Sequence, residues 1–284
     1  MFTEHHNGIA IHRFSIFRGV PGLVCGFSGR TGGVSTGGYA SLNLGLHVGD
    51  APHCVLENRR RLCGAAGIDA QRLVIGEQVH AGVVRIVCAA DAGRGATGHG
   101  SSVNGADGLV TAEPLLPLMA LSADCPLVVL HDAQARVLGV VHASWRSAAA
   151  GIVGAAVDAM ASLGGTPARM RAAVAPCVGK CCYEVRDDFI EIIVHSAIGT
   201  AERYIERREG RTFFDVRAAV AGLLRASGLA ECSIEAAEAC TACTTGAFYS
   251  HRACGGAQGG KTGRFALFAE MCGDPRTGNQ STEP

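Results

Sequence analysis

Neither sign of charge is in excess in this 284-residue chain: 25 Lys and Arg stand against 25 Asp and Glu, for a formal net charge of zero. That balance excludes a basic face for nucleic acid and a polycationic tail for membranes. A long apolar run is also missing. The most hydrophobic window, PLLPLMALSADCPLVVLH, is broken by Pro117, Asp124 and Pro126, which excludes a membrane-spanning helix there. The opening MFTEHHNGIAIHRF has neither a charged n-region nor an apolar h-region, so no secretory signal and a cytoplasmic location are expected. Thirteen cysteines then read as thiols in a reducing compartment, and their odd number cannot all pair. No H-x-H pair occurs among the eleven histidines, so the many-histidine clusters of blue multicopper oxidases cannot be assembled. No linker or internal repeat divides the chain, and a single domain over 1–284 is expected, with about 1–20 and 273–284 peripheral.

Glycine, by contrast, is plentiful: 39 residues spread through the chain imply many tight loops, densest in GFSGRTGGVSTGGYASLNLG. Residues 53–66 read as a helix closed by Gly67, followed by short strands at 73–75, 83–88 and 108–111. LMALSA, CPLVVLHD and RVLGVVHA are near-continuous apolar strands of the kind found inside sheets. The small-residue stretch SAAAGIVGAAVDAMASLG reads as one helix closed by Gly164 and Gly165. A strand at MRAAVAP, helices near 185–197 and 215–227, and a last strand at RFALFAEM complete an α/β or α+β chain.

Residues 139–147, GVVHASWRS, raise the first chemical question, because a buried strand ends in His142 and is followed at once by Trp145 and Arg146. If the hairpin CPLVVLHDAQARVLGVVH turns at Asp132–Ala135, His131 faces Arg136 and Cys125 lies opposite His142. Opposed residues on one sheet face have Cβ atoms about 4.5–5.5 Å apart, which brings thiol and imidazole together. Such a pair suits a Zn²⁺ or copper site, or a cysteine nucleophile with its base. His80, which ends an apolar run beside a glycine in GEQVHAG, is the best third ligand. Two other signals mislead. GGAQGGKT (255–262) fits the P-loop pattern but precedes a strand instead of a helix, so it reads as a flexible turn. CVGKCC (177–182) and CTAC (240–243) lack paired C-x₂-C spacing and read as small buried thiols in place of a structural zinc site.

The segments GGVSTGGYASLNLG, ENRRRL, QVH, ADGLVT, SADCPLVVLHD, VHASWRS, APCVGKCCYEV and CT…FYSHR…KTGR follow one another from about Gly26 to Met271. In that order they resemble the bacterial laccase-domain, or polyphenol-oxidase-like, family, whose members are also known as purine nucleoside phosphorylases. The resemblance implies a layered sandwich of mixed β-sheets flanked by helices, similar to a toxin-deamidase-like cysteine hydrolase fold. It places the family's metal ligands on His80, Cys125 and His142, which would hold zinc, with copper as the alternative, and leave one position open. It further implies phosphorolysis of adenosine, inosine and methylthioadenosine, with adenosine deamination by a metal-activated water. The partners would be small-molecule nucleoside and phosphate, for a monomer or homodimer. Arg146, Arg59, Asn43, Gln78, Arg30 and Arg264 are the substrate-contact candidates, with Arg146 at a helix start suited to phosphate. Where the family has HAGWRG this chain has HASWRS, so Ser144 and Ser147 either narrow the pocket or cap the helix. The rival readings are a cysteine amidase using Cys125 and His142, and a non-enzymatic metal-storage or interaction module.

Overall fold

The computed structural model describes residues 1–199, 201–255 and 260–273. Its strands form two six-stranded sheets and a small third one. The first sheet runs β1 (Phe2–His6), β2 (Ile9–Arg13), β3 (Leu23–Ser28), β15 (Phe265–Met271), β7 (Leu118–Ser122) and β4 (Val74–Ile75). The second runs β14 (Ile234–Ala236), β10 (Arg171–Val174), β8 (Leu127–Asp132), β9 (Val137–His142), β6 (Gly108–Thr111) and β5 (Val84–Ile86). Both mix parallel and antiparallel pairs. The third, β11 (Glu184–Val185), β13 (Arg211–Phe214) and β12 (Ile205–Arg208), is wholly antiparallel. Among the described residues five α-helices accompany them: α1 (Pro52–Ala66), α2 (Trp145–Ala149), α3 (Ile152–Ser162), α4 (Asp187–Val194) and α5 (Val216–Ala226).

The period-2 alternation of the strands sorts their side chains into three cores. Leu118, Ala120, Phe265 and Leu267 of the first sheet meet Leu127, Val129, Leu138 and Val140 of the second between the two sheets. The opposite faces turn to helices: Met119, Leu121 and Phe268 pack on Leu62 and Cys63 of α1, while Val128, Val141 and Val174 pack on α3 and α5. The order is helix, sheet, sheet, helix, and β8 and β9 are buried along their whole length. That double cover explains why they read as unbroken apolar runs. No helix of the described residues is long and apolar enough to cross a membrane.

Three local features depart from the sequence reading. In the β8–β9 hairpin, Asp132 pairs with Val137 and His131 with Leu138, so the turn is centred one residue later than expected. The Asp132 carboxylate accepts from the amides of Gln134 and Ala135, and Arg136 takes the left-handed conformation at φ 52°. Leu127, not Cys125, therefore lies opposite His142. A shift of two in the pair sum preserves the face, so His142 still points between the sheets. Second, the small-residue helix is two helices, α2 and α3, broken where Gly151 turns left-handed at φ 87°. Third, the arginine-rich hairpin β12–β13 has no apolar stripe to betray it; its turn uses Glu209 and Gly210, both at positive φ. Of the P-loop-like segment, 256–259 lie outside the described residues, as do 274–284 of the C-terminal stretch.

Candidate metal centre and pocket

His142 is the last residue of β9, 3% exposed, with its ring at the open end of the space between the sheets. Cys125 sits in the bend before β8, where Asp124 adopts φ 101° and Pro126 accepts from the Ala143 amide. The bend brings the thiol back to His142, which the strand register alone would not. His80 stands on a loop at φ 62° and completes the group from the exposed side. The ligand atoms of His80, Cys125 and His142 all lie within 4.8 Å of one another, and the two imidazoles meet edge to face at 4.7 Å. Two imidazoles and one thiol form a donor set that suits a borderline-soft cation such as zinc.

Asp107, which no spacing argument singled out, organises the group. One carboxylate oxygen lies 3.0 Å from Nδ1 of His142 and accepts from the His80 amide at 2.9 Å; the other accepts from the Ala81 amide at 2.7 Å. This fixes the His142 ring so that Nε2 faces Cys125, the arrangement by which a carboxylate orients a metal-binding histidine. Burial opposes a charge on His142, but the Cys125 sulfur and Asp107 outweigh it and raise its pKa to about 9. Loss of water and the neighbouring His142 push His80 down to about 4. Burial would raise the Asp107 carboxyl, yet His142 and the two amides hold it below the usual carboxylate range.

The triad opens on a cavity of about 980 Å³. Arg146, Arg186, Arg252 and Arg264 line it, together with His47 and His251. The one carboxylate among its lining residues, Asp124, already accepts from Thr241 at 2.6 Å and from the Arg252 amide at 2.6 Å. Four arginines thus border a space with little negative charge, a setting for an anionic ligand, although Arg252 and Arg264 each also donate to backbone carbonyls.

The six substrate-contact candidates divide. Arg146, Arg264 and Gln78 line the cavity. Arg146 stacks 4.4 Å over Trp145, which is packed edge-on against Phe189 at 4.9 Å, so the half-buried tryptophan joins the core to the cavity wall. Gln78 is tied to the backbone of Leu121 through both ends of its amide, which anchors the loop carrying His80. Arg59, Asn43 and Arg30 are not brought to the cavity. Arg59 is buried and donates to the carbonyls of Leu44, Gly95 and Ala96; Asn43 holds Gly45 and Asp50; Arg30 holds Ala40 and Thr245. Motif matching cannot separate such loop-tying residues from ligand contacts, because both recur for good reason. Arg59→Ala should lower unfolding free energy by about 2–4 kcal/mol, since buried carbonyls lose a charged donor. In urea this would read as an earlier midpoint at unchanged slope.

Ser144 caps α2: its Oγ accepts from the Ser147 amide at 3.1 Å, and Ser147 Oγ donates to the His142 carbonyl at 2.9 Å. Ser144 thus caps the helix and also lines the cavity, so both roles expected of it are compatible with its position. At five residues α2 is too short for much dipole, so the arginines carry the pocket's positive potential.

Residues 24–272 match the family described as multi-copper polyphenol oxidoreductase laccase. The purine nucleoside phosphorylase YlmD of Geobacillus stearothermophilus is 34% identical over 249 residues, 87% of this chain and 89% of that protein. A purine nucleoside phosphorylase of Corynebacterium glutamicum is 37% identical over 199 residues, 70% of this chain and 76% of that one. The crystal structure of the hypothetical protein YfiH of Bacillus licheniformis superposes with a TM-score of 0.87 at 29% identity, covering 95% of this chain and 98% of that one.

Proposed function

This chain belongs to the multi-copper polyphenol oxidoreductase laccase family, and from that premise we propose that it is a zinc-dependent purine nucleoside phosphorylase. The observation that carries the reading is one cavity in which a two-histidine, one-cysteine donor group meets four arginines. The several-copper cluster of a multicopper oxidase finds no support in the donor sets. Among the described residues the metal-competent groups are this triad and a cluster of four cysteines, neither of which can make a histidine-rich copper cluster.

In this reading His80, Cys125 and His142 hold Zn²⁺, with copper as the alternative occupant. When bound, the metal supplies Lewis-acid polarisation in the position its three protein ligands leave open. Arg146, Arg186, Arg252 and Arg264 bind phosphate and offset its charge as an oxygen forms a bond to C1′ of the ribose. The C1′–N9 bond breaks at the same time, and the purine departs with the electron pair and takes up a proton. A volume near 980 Å³ accommodates nucleoside and phosphate together. Adenosine, inosine and methylthioadenosine are the proposed substrates, and adenosine deamination a second activity of the same centre.

Cys125, His142 and Asp107 also line up as nucleophile, base and orienting carboxylate, which favours a cysteine-hydrolase reading and the toxin-deamidase-like fold relationship. His80 favours the metal reading: its ring lies within 4.8 Å of the other two ligand atoms, where a hydrolase has no need of a second imidazole and a metal would use it as a third donor. Adenosine incubated with and without phosphate tests the proposal by product mass. Phosphate-dependent adenine and ribose 1-phosphate are expected; phosphate-independent turnover, or none, would refute phosphorolysis. Metal affinity should also rise with pH, because below about 9 the proton on His142 competes for the ligand nitrogen. Zinc titrations against a chelator at several pH values would show it, and a pH-independent affinity would count against His142 as a ligand.

A further inference from the structure

Away from the triad, four sulfurs converge from two separate segments. Cys181 and Cys182 come from the turn before β11, and Cys240 and Cys243 from the loop after β14. All four Sγ atoms lie within 4.8 Å of one another, with Cys181 and Cys182 at 3.5 and 3.3 Å from Cys243. Cys181 and Cys243 are exposed and Cys182 half-buried, so these are not the small buried thiols that the spacing suggested. The vicinal Cys181–Cys182 pair supplies what a second C-x₂-C normally would.

We propose that Cys181, Cys182, Cys240 and Cys243 form a second metal site, a structural tetrathiolate zinc centre. Zn–S bonds of about 2.3 Å in a tetrahedron put sulfurs about 3.8 Å apart. The observed separations, from 3.3 Å up to no more than 4.8 Å, bracket that edge. The backbone is shaped for thiolates. Cys240 Sγ accepts from the Gly179 amide at 3.1 Å, so the C-V-G-K-C-C segment turns a backbone N–H onto the first sulfur of C-T-A-C. N–H donors stabilise anionic sulfur, which four neutral thiols would not require. Gly179 lies so close that a Cβ there would come 3.1 Å from the Cys240 Cβ and 3.2 Å from the Cys181 sulfur. Arg208 Nη2 donates to the Cys181 carbonyl at 2.6 Å, bringing positive charge beside a centre of formal charge minus two.

The position gives the centre a task. Its two segments build one wall of the cavity: Val178 and Tyr183 line it, the Val178 amide donates to the Asp124 carbonyl, and Thr241 Oγ1 donates to the Asp124 carboxylate. Asp124 precedes Cys125, so the tetrathiolate centre clips together the loops behind the first metal site.

Metal analysis of the full chain, purified under reducing conditions with zinc and then desalted, tests this directly. About two zinc ions per chain are expected in the wild type and one in Cys125→Ala, the four-sulfur centre being closed and tight. The double variant Cys240→Ser, Cys243→Ser should lose one ion. Zinc in the wild type that survives Cys125→Ala but not the double variant supports the tetrathiolate centre even if the triad binds nothing. Should the double variant fail to fold, cobalt-loaded Cys125→Ala gives the answer, because its thiolates then come from this cluster. Intense tetrahedral cobalt–thiolate absorption is expected. Its absence, a disulfide seen as a loss of two hydrogens in mass, or iron in place of zinc would overturn the proposal.

Discussion

Cys125→Ala is expected to abolish metal binding at the triad and to cut phosphorolysis of adenosine by about 10²–10⁴-fold, the loss of several kcal/mol of transition-state stabilisation. The substitution removes the one charged donor of the three, and the two imidazoles left cannot close a four-coordinate site. Folding should be little affected, because Cys125 is only half-buried and leaves His142 in place on Asp107. Steady-state rates together with metal content check the pair of effects. A variant that loses activity but keeps its metal would assign Cys125 to nucleophilic chemistry instead.

Asp107 carries the second large expectation. It is buried and receives three groups: the His142 ring and the amides of His80 and Ala81. Asp107→Ala leaves all three without a partner and should destabilise the metal-free protein by about 3–5 kcal/mol, the usual outcome of removing one member of a buried charged pair. Asp107→Asn keeps the shape, and zinc affinity should then fall by about 10–100-fold as the orienting carboxylate is lost. The folded carboxyl titrates below its ordinary value of 3.8. Its contribution to stability is therefore complete well above pH 3.8 and disappears as the pH falls through the lower folded value. Denaturation of wild type and Asp107→Asn between neutral and acidic pH should show the gap closing toward acid. A gap that stays constant would mean that the carboxylate charge plays no part.

Much of this arrangement was legible in the sequence because it depends on periodicity. The buried strands β7, β8, β9 and β15, helix α1 with its Gly67 stop and helix α5 follow from apolar pattern and capping residues. Cys125 and His142 were paired from hairpin register, and the pairing survives although the register is shifted. The bend at Asp124 supplies the approach that strand pairing was assumed to give. Other features depend on contacts between distant segments. Asp107 is 35 residues from His142 in sequence. Arg186 and Arg252 reach the cavity from loops without apolar periodicity, although Arg252 ends the FYSHR segment, while Arg59 and Asn43 stay behind to hold loops. Spacing alone does not reveal the four-cysteine cluster, because its halves are joined by folding, with the backbones paired at Cys177 and Cys240 beside free thiols.

Metal reconstitution tests the central claim most directly. The protein is stripped with a chelator, zinc is returned in increments, and phosphate-dependent adenine formation is followed against metal bound, with alkylation of Cys125 measured in parallel. The proposed function predicts no turnover in the stripped protein, recovery in step with occupancy of the triad, and protection of Cys125 from the alkylator once zinc is bound. Full activity in the stripped protein, destroyed when Cys125 is alkylated, would contradict it and establish the cysteine as a nucleophile.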